Sequence, residues 1–341
     1  MPLTIVQADI TTMDTDAIVN SANKNLMPGG GVCGAIFHAA GQAELLEECR
    51  TVAPCRTGQA VITSGYGLRA RHIIHTVGPV WQGGECGEAE LLAASYSSSL
   101  ALAVDNGLES IAFPLISAGI FGYPVQGAIR IARESIARFL LDRDMDVYLV
   151  IFDREVFNQH TELLAPVRRY LGRVLKSTDL AKRSCGEKYP SRPGSPVLTD
   201  KLSLLYHDAG AYPHIESAAE LDRCFEKMEE SFSQAVLRLI AEKNMSEVET
   251  YKKDNIDRRL FSRIRSGHKY TPSKATSLAL CIALELNLEE TAALLKKAGY
   301  AISHSNKFDV IVEYFILERR YDIFEINEVL FSLGQGLLGA K

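Results

Sequence analysis

The stretch Val19-Asn20-Ser21-Ala22-Asn23-Lys24-Asn25-Leu26-Met27-Pro28-Gly29-Gly30-Gly31-Val32-Cys33-Gly34-Ala35-Ile36 decides the fold. An apolar run, Ala17-Ile18-Val19, ends in two asparagines, and a triple glycine then opens a predicted helix from Gly34 to Ala40. Glycines ahead of a helix let backbone N–H groups converge on an anion, and the helix N-terminus adds partial positive charge. A second loop of this kind follows another apolar run: Ile111-Ala112-Phe113-Pro114-Leu115-Ile116 leads into Ser117-Ala118-Gly119-Ile120-Phe121-Gly122-Tyr123-Pro124. Two glycine loops at the ends of two strands are what a crevice for a diphosphate ligand needs.

Working outward, strand-like runs fall at 3–8, 15–20, 59–64, 72–77, 109–116 and 146–152. Helical patterns at 33–52, 87–106, 124–142 and 155–172 lie between or after them. This alternation predicts an α/β layer structure. Ile111–Ile116 and Val147–Ile151 are almost wholly apolar, as strands buried on both faces should be.

From about Ser177 the character changes. Lys182, Arg183, Ser184, Gly186, Pro190, Ser191, Pro193, Gly194, Ser195 and Pro196 mark a polar, proline-rich connector, placed at 174–217. Helical periodicity returns near Ala218, giving an all-helical second part, 218–341. Ser231–Lys243 is one helix, and Ser246 with Glu249 caps a short second one to Lys253. A third begins at Asp257, a fourth runs from Pro272-Ser273 to Asn287, and a fifth spans Leu288–Lys297. A further helical region covers 307–331.

At 341 residues, with 47% hydrophobic residues, the chain suits two ordinary packed domains. A net charge of −5 excludes an indiscriminately basic nucleic-acid binder. Seven scattered cysteines with no Cys-x-x-Cys pair read as reduced thiols of a cytoplasmic protein. No apolar run approaches a membrane span, and no signal-peptide pattern opens the chain.

The first part resembles the macrodomains, specifically the MacroD-type branch of ADP-ribose-binding and ADP-ribosyl-hydrolysing proteins. The resemblance covers about residues 1–173. It rests on Gln7-Ala8-Asp9-Ile10, on Asn20 to Gly41, on His75-Thr76-Val77-Gly78-Pro79-Val80-Trp81, on Ser117 to Pro124, and on Phe152-Asp153, in that order. It implies a three-layer α/β/α fold with a mixed central sheet. ADP-ribose is then the ligand, with no cofactor required. Residues 231–300 resemble the five-helix lambda-repressor-like helix-turn-helix domain, which often dimerises; 301–341 is a helical extension without a counterpart there.

The first resemblance assigns roles residue by residue. Asp9 and Ile10 form the adenine end; the bland reading of Asp9 is a turn or helix cap. Phe152 either stacks on adenine or packs in the core. Gly30, Gly31 and Val32 offer N–H groups to the diphosphate from one side, and Ser117, Ala118, Gly119, Ile120 and Phe121 from the other. No Gly-x-x-x-x-Gly-Lys-Ser/Thr sequence is present, which disfavours a P-loop nucleotidase. Asn23 is assigned to the distal ribose, because an amide both donates and accepts. Asn20 is assigned to holding the loop through backbone hydrogen bonds, and Phe121 to pressing on the distal ribose.

Cys33 is the departure, since many MacroD-type members carry aspartate there. Alphavirus-type macrodomains carry a similar Gly-Val-Cys and belong to the hydrolase side of the family. The expectation is hydrolysis by water positioning, with Asn23, Cys33 and Phe121 as the catalytic set and Cys33 as a wall of the water site. A covalent role for Cys33 at a helix N-terminus is the lesser alternative. No metal is expected: Cys33 and His38 lie five apart with no ligand insertion, and His72 and His75 point to opposite faces of a strand, both read as structural.

In the second part, residues 245–275 carry eight Lys or Arg against four Asp or Glu. Arg258, Arg259 and Arg263 on a recognition-like helix suit a DNA major groove, with Lys269 and Lys274 on phosphate. The bland reading is a solvated face of a protein-interaction module. Two functions therefore compete. One is a mono-ADP-ribosyl hydrolase or O-acetyl-ADP-ribose deacetylase acting on ADP-ribosylated protein. The other is a non-catalytic ADP-ribose reader coupled to a DNA-binding regulator.

Overall fold

The computed structural model describes residues 3–154, 157, 164–185, 230–246, 250, 255, 258–266 and 271–339. Six strands form one sheet: β1 (Leu3–Gln7), β2 (Ala17–Ser21), β3 (Ala60–Ser64), β4 (His72–Thr76), β5 (Ser110–Phe113) and β6 (Asp146–Ile151). Their order is β1-β6-β5-β2-β4-β3. All neighbours run parallel except β3, which is antiparallel to β4, so the sheet is mixed as expected. The central strands carry the apolar runs, and Ile18, Val19, Ile111, Ala112, Phe113 and Val147 are fully buried.

Helices cover both faces. On one side lie α1 (Gly31–Ala40) and α2 (Gln42–Val52), whose Ile36, Phe37, Leu45 and Cys49 share a core with Ile18 and Ile73. On the other lie α3 (Glu88–Asp105) and α4 (Val125–Asp142), packing Leu92, Tyr96, Ala132 and Ile136 against Val19, Ile111 and Phe113. The single helix expected over 33–52 is two helices. Gly41 turns the chain between them at φ 102°, a conformation that a side chain resists. The strand expected over 109–116 stops at Phe113, before Pro114, which has no N–H to give a ladder.

Helix α5 (Leu164–Cys185) continues through residues 174–185, the first part of the expected connector; residues 186–217 lie outside the described residues. The C-terminal helices are α6 (Phe232–Glu242), α7 (Arg258–Ser266), α8 (Lys274–Ala283), α9 (Leu288–Lys297), α10 (Lys307–Leu317) and α11 (Ile323–Ser332). The capping box expected at Ser246 needs Glu249, which lies outside the described residues. The fourth expected helix ends at Ala283, not Asn287, because Asn287 caps α9 in a reciprocal box with Glu290. The region 307–331 divides into α10 and α11, with Asp322 capping the second.

The two parts share cores. Leu164 and Val167 of α5 pack among Phe232, Leu278, Ile311 and Phe315. Phe331 of α11 meets Phe157 edge-on, with ring centroids 5.3 Å apart, inside the α3–α4 core. Arg133 of α4 pairs with Glu328 of α11 at 3.4 Å.

Candidate functional site

The site gathers at the C-terminal ends of β2, β5 and β6 and just beyond β1. After β2 the chain folds around Asn23. Its Oδ1 accepts from Asn25 N–H at 3.2 Å and Met27 N–H at 3.1 Å, and its Nδ2 donates to Met27 C=O at 2.6 Å. The asparagine thus templates the loop, as Asx side chains do. The helix starts earlier than expected, at Gly31, with Gly30 as its N-cap. Gly30 has no side chain to cap with, so the first-turn N–H groups of α1 are left for another acceptor. Gly34 cannot be larger, since a Cβ there would lie 2.4 Å from Gly29 C=O.

The second loop is held by two hydrogen bonds, Gly122 N–H to Gly119 C=O at 2.9 Å and Tyr123 N–H to Ser117 C=O at 3.0 Å. Trp81 N–H reaches Phe121 C=O at 2.9 Å and ties the 78–81 segment to it. Among the described residues the N–H groups of Gly119, Ile120 and Phe121 make no hydrogen bond. Ser117 sits at φ 63°, in the left-handed region, with its buried Oγ unpaired among the described residues. The two loops meet: a Cβ on Gly30 would lie 3.2 Å from Ile120 Cδ1. Ile120 is 78% exposed, which is unusual for so large an apolar side chain. Ala118 and Phe121 are half-buried beside it, and Val32 is half-buried across the gap.

At the far end, Ala8 N–H bonds Ile151 C=O, so the residues that follow β1 and β6 lie side by side. Asp9 caps the short turn Ile10–Thr12, its Oδ1 accepting from Thr11 N–H at 2.9 Å and Thr11 Oγ1 at 2.8 Å. The capping reading of Asp9 therefore holds for one carboxylate oxygen. Ile10 is buried beneath it. Phe152 is 78% exposed, which excludes the core-packing reading.

The asparagines reverse part of their expected division of labour. Asn23 holds the loop; Asn20 is fully buried and works through its side chain. Asn20 Nδ2 lies 3.0 Å from His75 Nδ1 and donates to Cys33 Sγ at 3.6 Å. Cys33 Sγ in turn approaches Met27 C=O at 3.9 Å. Burial pushes the Cys33 thiol up, and the Asn20 N–H offsets only part of that. A protonated thiol is neither a nucleophile nor a general base at neutral pH. Sequence reading took His75 as structural without naming its partners, and did not single out Thr63. The signal that finds them is register, since parallel pairing of β2 with β4 sets Asn20 directly beside His75.

Other expectations can be placed. Arg263 is exposed on α7; nothing is described of the side chains of Arg258, Arg259 and Lys269. Lys274 does not face outward to a phosphate, because it pairs with the fully buried Asp309. Among the described residues no three His, Cys, Asp or Glu side chains gather as metal ligands, and no helix is long and apolar enough to cross a membrane. Cys33, Cys49, Cys55, Cys86 and Cys281 are free thiols.

The Macro domain family profile matches residues 19–132. A Macro domain-containing protein of Methanosarcina mazei is 54% identical over 153 residues, 44% of this chain and 81% of that protein. A protein of Cronobacter turicensis named O-acetyl-ADP-ribose deacetylase is 48% identical over 168 residues, 48% of this chain and 95% of its own length. Among solved structures, an Oceanobacillus iheyensis macrodomain with ADP is 42% identical, with a TM-score of 0.44, covering 48% of this chain and 90% of that one. With residues 19–132 matching the family profile and 81% of a 54%-identical relative covered, the chain belongs to the macro domain family.

Proposed function

We propose that this protein binds ADP-ribose and hydrolyses an ester at the distal ribose, either mono-ADP-ribose on protein carboxylates or O-acetyl-ADP-ribose. The observation that carries this is the meeting of two glycine loops, Gly30 under Ile120, with unpaired N–H groups on both sides. Neutral main-chain donors fix two phosphates without a mobile side chain. The diphosphate lies between Gly30, Gly31 and Val32 on one side and Ser117 to Phe121 on the other. Adenine stacks on exposed Phe152, with Asp9 offering its uncapped oxygen and Ile10 the apolar floor. Two relatives named O-acetyl-ADP-ribose deacetylase, at 48% and 49% identity, support the ester as the bond attacked. Within the family we place the chain in the MacroD-type branch, on its Asn20–Gly41 and Ser117–Pro124 segments, from which Cys33 departs.

The distal ribose falls beside Asn23 and Phe121. Asn23 and Cys33 both flank Gly29, each within 4.0 Å of where its Cβ would be. Water enters this corner, is ordered against Cys33 and the substrate's own phosphate, and attacks; the carboxylic acid and the ribose hydroxyl separate. Ordering the attacking group supplies much of such a barrier reduction.

The test is calorimetric titration of the full chain with ADP-ribose, followed by turnover of aspartate- or glutamate-linked ADP-ribosyl protein and of O-acetyl-ADP-ribose. Saturable heat and product release are expected. No heat removes the whole reading; heat without turnover leaves a binding protein.

A further inference from the structure

Behind Cys33 lies a buried polar chain that the proposed reaction has not used. Asn20 and His75 are fully buried, Thr63 is 2% exposed and Cys33 5%. We propose that His75 is a positioning residue for the water site: it fixes the Asn20 carboxamide so that one amide hydrogen is handed to the Cys33 sulfur. This rests on the hydrolase reading of the site.

The hydrogen-bond directions follow from what each atom can do. Asn20 Nδ2 has two hydrogens and faces two partners, Cys33 Sγ at 3.6 Å and His75 Nδ1 at 3.0 Å. His75 Nδ1 must then be an acceptor, so the ring proton sits on Nε2. Thr63 Oγ1, at 2.8 Å, receives it. Cys49 Sγ lies farther from the same nitrogen, at 3.8 Å. Burial lowers His75 to about 4, so the ring is neutral at physiological pH and Nδ1 keeps its lone pair. Burial likewise raises the Cys49 thiol to about 11. A neutral histidine creates no thiolate, which separates this chain from a Cys–His nucleophile pair.

A second observation shows that the arrangement is imposed on Asn20. Its Oδ1 is buried with no partner among the described residues. An orphaned buried acceptor is destabilising. The carboxamide tolerates this because both its hydrogens are held, one by His75 and one by Cys33. Such a cost, kept beside a reaction site, marks a functional constraint. Thr63 orients His75, His75 orients Asn20, and Asn20 holds the thiol that walls the water site.

The experiment compares His75→Leu, His75→Asn, Thr63→Val and Cys33→Ala, with His75→Leu/Cys33→Ala as the double variant. Asparagine at 75 keeps an acceptor near the Nδ1 position; leucine does not. Expected results are a roughly tenfold fall in kcat for His75→Leu, recovery in His75→Asn, and ADP-ribose Kd within about threefold throughout. The double variant should be no slower than Cys33→Ala, because both changes act on one group. A second readout needs no substrate: peptide-resolved alkylation of Cys33 against pH. Loss of the Asn20 N–H should move that profile to higher pH in His75→Leu, and His75→Asn should move it back. Nitrogen NMR of the imidazole should show the Nε2–H tautomer in the parent, which also covers a His75→Leu chain that fails to fold. An unshifted alkylation profile, an Nδ1–H tautomer in the parent, or losses that multiply in the double variant overturns the proposal. A parent that alkylates as expected but turns nothing over defeats the hydrolase reading alone.

Discussion

The side chain of Asn255 clasps the main chain of Leu3: Oδ1 accepts from Leu3 N–H at 2.8 Å and Nδ2 donates to Leu3 C=O at 2.9 Å. Leu3 opens β1, the edge strand next to β6. An edge strand presents unpaired peptide groups that template other chains, and a carboxamide, with its donor and acceptor side by side, answers both at once. Asn255 lies 252 residues away in sequence, is 4% exposed, and sits at φ 53°.

Asn255→Gly isolates the side chain, because glycine takes that φ without strain. Two buried peptide groups lose their partner, so stability should fall by about 2–4 kcal/mol. Urea denaturation followed by circular dichroism checks this; an unmoved midpoint would show that the clasp contributes nothing.

Gly78→Ala should weaken ADP-ribose binding at least tenfold, about 1.4 kcal/mol, with the fold retained. Its Cβ would lie 2.1 Å from Ser117 Oγ and 2.6 Å from Ile116 Cγ2, displacing the second loop. Adding Ser117→Gly removes the nearer clash and relieves the left-handed serine, so part of the affinity should return. Calorimetry that finds the single variant binding like the parent contradicts the assignment of this loop to phosphate.

Cys33→Ala should slow turnover about tenfold and Cys33→Ser less, since a wall is loosened and no attacking atom is lost. With the thiol raised by burial, the rate should show no thiolate-dependent limb between about pH 6 and 8. A fall of a thousandfold or more in Cys33→Ala would instead mark a nucleophile.

The Arg133–Glu328 pair makes stability depend on pH in the unusual direction for a carboxylate. Burial raises Glu328 from 4.5 to about 7, with Arg133 only partly opposing it. Between those values the folded chain holds a proton that the unfolded chain has lost. Stability from this group is therefore full below pH 4.5 and declines as pH rises to about 7, by roughly 3 kcal/mol in all. Glu328→Gln should flatten that slope. Parallel pH profiles for parent and variant would refute it.

The sheet was legible because Ile111–Phe113 and Val147–Ile151 are apolar on both faces, which few structures other than buried strands require. The loops were legible because Gly31 and Gly122 take left-handed φ values of 61° and 69° and Gly34 packs against Gly29 C=O. The division of work between Asn20 and Asn23 was not legible. Asn20 lies near the end of β2 and Asn23 just beyond it, and the pairing of Asn20 with His75 separates their work. The break at Gly41 was hidden because one glycine in a helical pattern is tolerated. Lys274 read as a surface cation because Asp309, 35 positions on, gives no local sign of lying beneath it.

The clasp at Leu3 also bears on how this molecule can be divided. A fragment ending near residue 173 would strip Asn255 from β1, Phe331 from Phe157, and the helical neighbours from Leu164 and Val167. Its two glycine loops would survive intact on paper, yet the sheet would carry a raw margin and two greasy patches. Enzymology on such a fragment would describe a stickier and softer object than the protein from which it was cut.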